Sequence, residues 1–167
     1  MGAGKTTVGK ALAEQLRWAF IDLDDIIVEI SSKSVPDIFR EDGEAVFRQH
    51  ETAALRRILE KHLPIHSTVV ALGGGAFVQT QNLDLIRESK QPTVFLDADL
   101  TELRKRCAAE LGTRPLFRDE NQFRQLYESR RGAYMKADLR VDTTGRVIGE
   151  IVNEVLSRLD LHDDFSK

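Results

Sequence analysis

The chain opens Met1-Gly2-Ala3-Gly4-Lys5-Thr6-Thr7, and this stretch decides the fold. Gly4-Lys5-Thr6 is the G-K-[ST] end of a phosphate-binding P-loop. Each residue has a physical task. The glycines let backbone N–H groups curl into a nest for phosphate oxygens. Lys5 puts a point charge on the β- and γ-phosphates of a nucleotide, and the Thr6 hydroxyl is a ligand for Mg²⁺. From Thr7 onward the pattern is helical, and the helix N-terminus adds a positive dipole at the same spot. The full motif needs a glycine five residues before Gly4 and a hydrophobic strand before that, and neither precedes Met1.

Working outward, apolar runs alternate with helical patterns. Val8 to Trp18 has helical spacing, and Ala19-Phe20-Ile21 is a strand run ending in Asp22-Leu23-Asp24. Gly43 marks a turn before a long helix from about Glu44 to His62. Thr68 to Leu72 is a second strand running straight into Gly73-Gly74-Gly75. Thr93 to Leu96 is a third, closed by Asp97-Ala98-Asp99, where Asp99 and Glu102 form a capping box. Helices are expected to about Glu110 and over Gln122 to Arg131. A last strand over Leu139 to Asp142 and a helix over Val147 to Leu159 close the chain. Strands of continuous apolar residues between helices indicate an α/β fold with a parallel sheet and helices on both faces. In such sheets ligands bind beyond the carboxyl ends of the strands. The P-loop, Asp22, Asp24, Gly73 to Gly75 and Asp97 all fall at such ends.

The bulk properties narrow the function. The 167 residues, 41 % apolar and 31 % charged, suit one globular domain spanning 1–167. A net charge of −3 gives no electrostatic case for nucleic acid or an anionic membrane as partner. Cys107 is the single cysteine, which suits a reducing cytoplasm. No apolar run approaches a membrane span and no secretory signal opens the chain. No histidine is expected to hold a metal.

Several stretches ask for more than structure. Two carboxylates two residues apart, Asp22 and Asp24, are what a kinase needs to orient an attacking hydroxyl and hold Mg²⁺ through water, though a helix cap with an acidic first turn reads the same way. Three glycines in a row cost backbone entropy, so they point to close approach of a ligand. Arg114, between Gly112 and Pro115, sits in a polar stretch over 111–121 that reads as a lid, where an arginine would neutralise phosphate charge. Asp97 and Asp99 read as a strand end plus a helix cap. Arg104-Lys105-Arg106 and Arg130-Arg131 read as solvated helix faces.

In order, these pieces resemble shikimate kinase, a nucleoside monophosphate kinase-like P-loop family. The resemblance is carried by Gly2-Ala-Gly-Lys-Thr-Thr7, Phe20-Ile-Asp22-x-Asp24, Gly43-Glu-x-x-Phe47-Arg48-x-x-Glu51, Gly73-Gly-Gly75, Arg114-Pro-Leu and Arg130 four residues before Tyr134. It implies a three-layer P-loop kinase fold and ATP-dependent phosphorylation of the shikimate 3-hydroxyl. It implies an ATP site at Gly2, Ala3, Gly4, Lys5, Thr6, Thr7, Arg106, Arg114 and Arg146, with Mg²⁺ held by Thr6 and Asp22. Catalysis falls to Lys5, Asp24 and Arg114. Substrate binding falls to a segment over about 23–50 and to Asp24, Arg48, Gly73, Gly74, Gly75 and Arg130, with Arg131 an alternative to Arg130. A monomer in the cytoplasm, with shikimate and ATP as its small-molecule partners, is the further implication. The sequence departs from the family where its first, central strand should be, so the flanking strands are expected to lack a shared partner. Two alternatives stay open: a degenerate P-loop protein that binds without catalysing, and a gluconate-type sugar-acid kinase.

Overall fold

The structure, a computed structural model, describes residues 2–109 and 120–161. Its elements alternate. They are α1 (Lys5–Leu16), β1 (Ala19–Asp22), α2 (Leu23–Ser31), α3 (Val35–Glu41), α4 (Gly43–Arg57), β2 (Thr68–Ala71), α5 (Thr80–Ser89), β3 (Val94–Asp97), α6 (Leu100–Ala109), α7 (Glu120–Tyr134), β4 (Leu139–Asp142) and α8 (Ile148–Arg158). The expected α/β alternation is therefore present, with every strand where the apolar runs placed it.

The strands form two separate parallel pairs, β1 with β2 and β3 with β4. Asp22 stands opposite Ala71 in the first pair, and Asp97 opposite Asp142 in the second. Among the described residues no strand joins β2 to β3, as expected where the flanking strands have no common partner. In a two-stranded pair each strand is an edge, and most residues of β1, β2 and β3 are accordingly half-buried. β4 alternates instead: Leu139 and Val141 point inward while Arg140 and Asp142 face out.

The chain divides into two compact units, one of Met1–Val8 with Pro92–His162, the other of Gly9–Gln91. In the second unit α4 packs on α2 and α3. Its core holds Leu23, Ile27, Ile38, Phe47, Ala54, Leu55 and Ile58, each at most 5 % exposed. Burying one such large apolar side chain contributes about 1.5–3 kcal/mol. Caps fix the short helices. Asp22 accepts from the Asp24 N–H to start α2, and Ser34 accepts from the Asp37 N–H to start α3, with Pro36 in its first turn. Gly43 turns the chain into α4 with φ +84°, a left-handed conformation that favours glycine. The long helix expected to reach His62 does so in two parts, since α4 ends at Arg57 and a π-helical turn continues over Ile58–His62.

In the first unit Ala3, Ala98, Leu103, Cys107 and Phe123 form a core cluster, with Leu96, Leu100 and Tyr127 packed against it. Asp99 caps α6 as expected, its Oδ1 accepting from the Glu102 N–H at 2.7 Å. The return half of the capping box does not form: the Asp99 N–H donates to Thr144 Oγ1 at 3.0 Å, and Glu102 pairs with Arg106. α8 buries Ile151, Val152 and Val155.

Candidate active site

In the Gly9–Gln91 unit, two expected residues, Asp24 and Arg48, converge on the triple glycine together with Glu51. A Cβ on Gly73 would lie 3.2 Å from Glu51 Oε1 and 3.3 Å from Asp24 Oδ1. A Cβ on Gly75 would lie 2.7 Å from Arg48 Cζ and 2.9 Å from its Nη2. Gly73 and Gly75 are glycines for space: two carboxylates and a guanidinium occupy the volume a side chain would need. The sequence pointed to close approach of a ligand; the groups that approach these glycines in the structure are the chain's own charged side chains. Asp22 and Asp24 leave the carboxyl end of β1, and the helix-cap reading of the pair is present. Asp22 caps α2 and Asp24 turns toward Gly73.

Arg48 is held by its own helix. Its Nε and Nη2 donate to Glu44 Oε1 at 3.2 and 2.8 Å, and its Nη1 donates to Glu51 Oε2 at 2.9 Å. Residues 44, 48 and 51 fall one turn apart on one face of α4. Burial disfavours the charge on Arg48, but the bonds to Glu44 and Glu51 outweigh it and hold the guanidinium above its ordinary pKa. It also sits over the Phe47 ring, 5.1 Å from the centroid, and Phe47 packs on Phe39. Glu51 is 1 % exposed and also accepts from Gln79 Nε2. Such a buried carboxylate needs its cation. Asn82, fully buried, accepts from Thr52 and donates to the Ala76 carbonyl, tying α4 to the turn after the glycines.

The other unit holds the described residues that the sequence led us to expect at a nucleotide. Gly2 and Gly4 take φ +59° and +77°, and α1 begins at Lys5, with Thr6 and Thr7 in its first turn. A Cβ on Gly2 would lie 2.8 Å from Cys107 Sγ and 2.9 Å from the Leu103 carbonyl, so this loop lies directly on α6. Ala3 is buried in the core cluster. Arg106 is half-buried where Arg104 and Lys105 are exposed, and is not the solvated helix-face residue expected. Its Nη1 donates to Thr143 Oγ1 and its Nη2 to the Thr143 carbonyl at 2.9 Å, which pins α6 to the loop after β4. Arg146, in that loop, donates to the Asp142 carbonyl and pairs with Glu154. Arg114 and most of the 111–121 stretch lie outside the described residues.

Two expectations about charge need correction. Asp97 is more than a strand end: it is 4 % exposed and accepts from Arg140 Nε at 2.8 Å and Arg131 Nη2 at 3.2 Å. Arg131 is correspondingly no solvated residue, since its Nε also donates to Tyr127 Oη at 3.0 Å. Nothing among the described residues pairs with the Arg130 guanidinium.

Sequence reasoning gave no role to Glu44, Glu51 or Gln79. The first two were signalled by acidic residues four before and three after Arg48. Gln79 meets Glu51 only through space, and no local pattern announces it.

Comparison with known proteins identifies the family. The family model "Shikimate kinase" matches residues 1–160. Shikimate kinases from Enterococcus faecalis and Persephonella marina are 39 % and 38 % identical, each match covering 95 % of this chain and 94 % of the relative. Among solved structures, shikimate kinase from Acinetobacter baumannii in complex with shikimate superposes with a TM-score of 0.85 at 30 % identity, covering 99 % of this chain and 91 % of that one. The enzyme from Aquifex aeolicus gives 0.82 at 32 %, covering 96 % and 92 %.

Proposed function

Because the chain belongs to the shikimate kinase family, we propose that its residues transfer the γ-phosphoryl group of ATP to the 3-hydroxyl of shikimate, giving shikimate 3-phosphate and ADP. This is a step of aromatic amino acid biosynthesis. The observation that carries the assignment of roles is the convergence of Asp24, Glu51 and Arg48 on Gly73–Gly75.

The roles follow from charge and reach. Asp24 orients the 3-hydroxyl and accepts its proton as the new O–P bond forms. The bond from the γ-phosphorus to the β,γ-bridging oxygen breaks, and ADP leaves with that electron pair. Arg48 and Arg130, with the Gly74 N–H, hold the substrate carboxylate. Planar guanidinium groups suit a carboxylate because they donate two parallel bonds. Gly73 and Gly75 leave room for these charged groups. Lys5 and Arg114 balance charge on the phosphoryl group in flight, while Gly2, Ala3, Gly4, Thr6 and Thr7 cradle the phosphates. Arg106 and Arg146 border the nucleotide.

The Thr6 hydroxyl and the Asp22 carboxylate are hard oxygen donors of the type Mg²⁺ prefers, so the donor set fits that ion. Mg²⁺ would offset negative charge on the ATP phosphates. We assign the chain to the cytoplasm as a monomer. Among the described residues no helix is long and apolar enough to cross a membrane.

Regiochemistry tests the assignment. Incubating the chain with ATP and Mg²⁺ and either shikimate or gluconate, then following ³¹P and ¹³C spectra, should show one phosphate ester, at the shikimate 3-oxygen. Phosphorylation of gluconate in preference, or of another shikimate hydroxyl, would overturn it.

A further inference from the structure

Arg130 and Arg131 are consecutive on α7, so their side chains diverge by about 100° around the helix axis. One face of α7 is fixed to the strand pair β3–β4. Phe123 is 2 % exposed in the core, the Tyr134 ring lies 5.2 Å from that of Phe95, and between them Tyr127 and Arg131 reach Asp97. Residues 123, 127, 131 and 134 repeat at helical spacing, so they share that face. Arg131 supplies its polar anchor, with Nη2 on Asp97 Oδ2 at 3.2 Å and Nε on Tyr127 Oη at 3.0 Å. The receiving carboxylate is itself immobile. The Asp97 carbonyl accepts from both the Thr143 N–H and Oγ1, at 2.7 and 2.9 Å, and its carboxylate is also held by Arg140.

We propose that Asp97, Arg131 and Tyr127 form a latch that sets the rotation of α7, and that Arg131 is thereby the positioning residue for Arg130, which holds the substrate carboxylate. The inference rests on the assignment of Arg130 to that clamp. Arg131 spends its guanidinium on Asp97 and Tyr127, leaving the neighbouring arginine to bind the anionic substrate. A buried carboxylate paired with two arginines tolerates loss of one of them, because Arg140 remains to balance its charge. Replacing Arg131 should therefore loosen the helix without unfolding the unit.

The test is a set of steady-state measurements on the full chain, with shikimate and ATP varied separately. Arg131→Gln should raise KM for shikimate about tenfold and leave KM for ATP within twofold, with Arg131→Lys recovering part of the loss. Arg140→Gln, which removes the other Asp97 bond but leaves α7 latched, should leave KM for shikimate unchanged. Since Arg131 acts only through Arg130, the Arg130→Gln/Arg131→Gln double variant should bind shikimate no worse than Arg130→Gln alone. If Arg130→Gln raises KM and Arg131→Gln does not, the latch is refuted while the clamp stands. Additive losses in the double variant would likewise refute it, because Arg131 would then touch substrate itself. If Arg130→Gln leaves KM unchanged, the clamp assignment fails, and the inference with it. Should Arg131→Gln not fold, Tyr127→Phe serves instead: it keeps every charge and should raise KM for shikimate about twofold, and an unchanged value would overturn the latch.

Discussion

Gly75→Ala is the most informative single substitution. Gly75 has φ −95° and ψ −25°, a conformation any residue adopts, so alanine brings no backbone strain. Restricting the unfolded chain would by itself stabilise the protein by about 0.4–1 kcal/mol. The opposing effect comes from Arg48. The new Cβ would stand 2.7 Å from Arg48 Cζ, whereas carbon atoms in contact sit about 3.5–4.0 Å apart, so the guanidinium must withdraw by about 1 Å. It cannot do so and keep its 2.9 Å bond to Glu51, a carboxylate 1 % exposed. A hydrogen bond to a charged group is worth about 1.5–3 kcal/mol, so the net loss of stability should be about 1–2 kcal/mol. At about 2–4 °C per kcal/mol for a chain of this size, the melting temperature should fall by roughly 5 °C. A displaced Arg48 also meets the substrate carboxylate poorly. A comparable loss of binding energy raises KM for shikimate by about 10- to 100-fold, with KM for ATP little changed. Thermal unfolding and steady-state kinetics on the same preparation measure both effects. A variant with the parental melting temperature and the parental KM for shikimate would refute the reasoning, because Arg48 would then not depend on the empty volume at Gly75.

Other outcomes follow from the same structure. Gly132→Ala is the matched control: a Cβ there meets nothing within 4 Å inside α7, so helix propensity should stabilise the chain by about 0.5–1 kcal/mol with kinetics unchanged, as chemical unfolding would show. Asp24→Asn should lower kcat by about 10²–10⁴-fold while ATP affinity, read by titration calorimetry, stays within a few-fold; near-normal turnover would remove Asp24 from its role as base. Asp138 receives hydrogen bonds from the Thr93 hydroxyl and backbone N–H, which hold its carboxyl below the ordinary aspartate value of 3.8. Its pKa is depressed on folding, so its stabilising contribution is full above that value and is lost as pH falls through the folded pKa. Asp138→Asn should lower stability near neutrality, where the carboxylate contributes in full, and flatten that part of the acid unfolding curve, so that variant and parent converge as pH falls.

Much of this was legible in the sequence because the signals are local. Apolar runs place β1 to β4 within a residue or two, and Asp22 and Asp99 mark helix starts through short-range caps. Gly73–Gly75 were read as a place where a ligand approaches, whereas the side chains that crowd them were hidden. Arg48 lies 27 residues from Gly75, and only the packing of α4 shows that its guanidinium fills the space. Asp97 and Arg131 were misread for the same physical reason. Neither announces a partner among its sequence neighbours, and only the β3–β4 register and the rotation of α7 bring them together with Arg140.

The central claim is that this chain phosphorylates shikimate at the expense of ATP, and the most direct test is ADP release followed with a coupled assay. The chain is first shown to be folded by circular dichroism, then supplied with ATP and Mg²⁺ with and without shikimate. The account predicts ADP release that depends on shikimate and saturates with it. A folded chain that binds ATP but releases no ADP on addition of shikimate would contradict it.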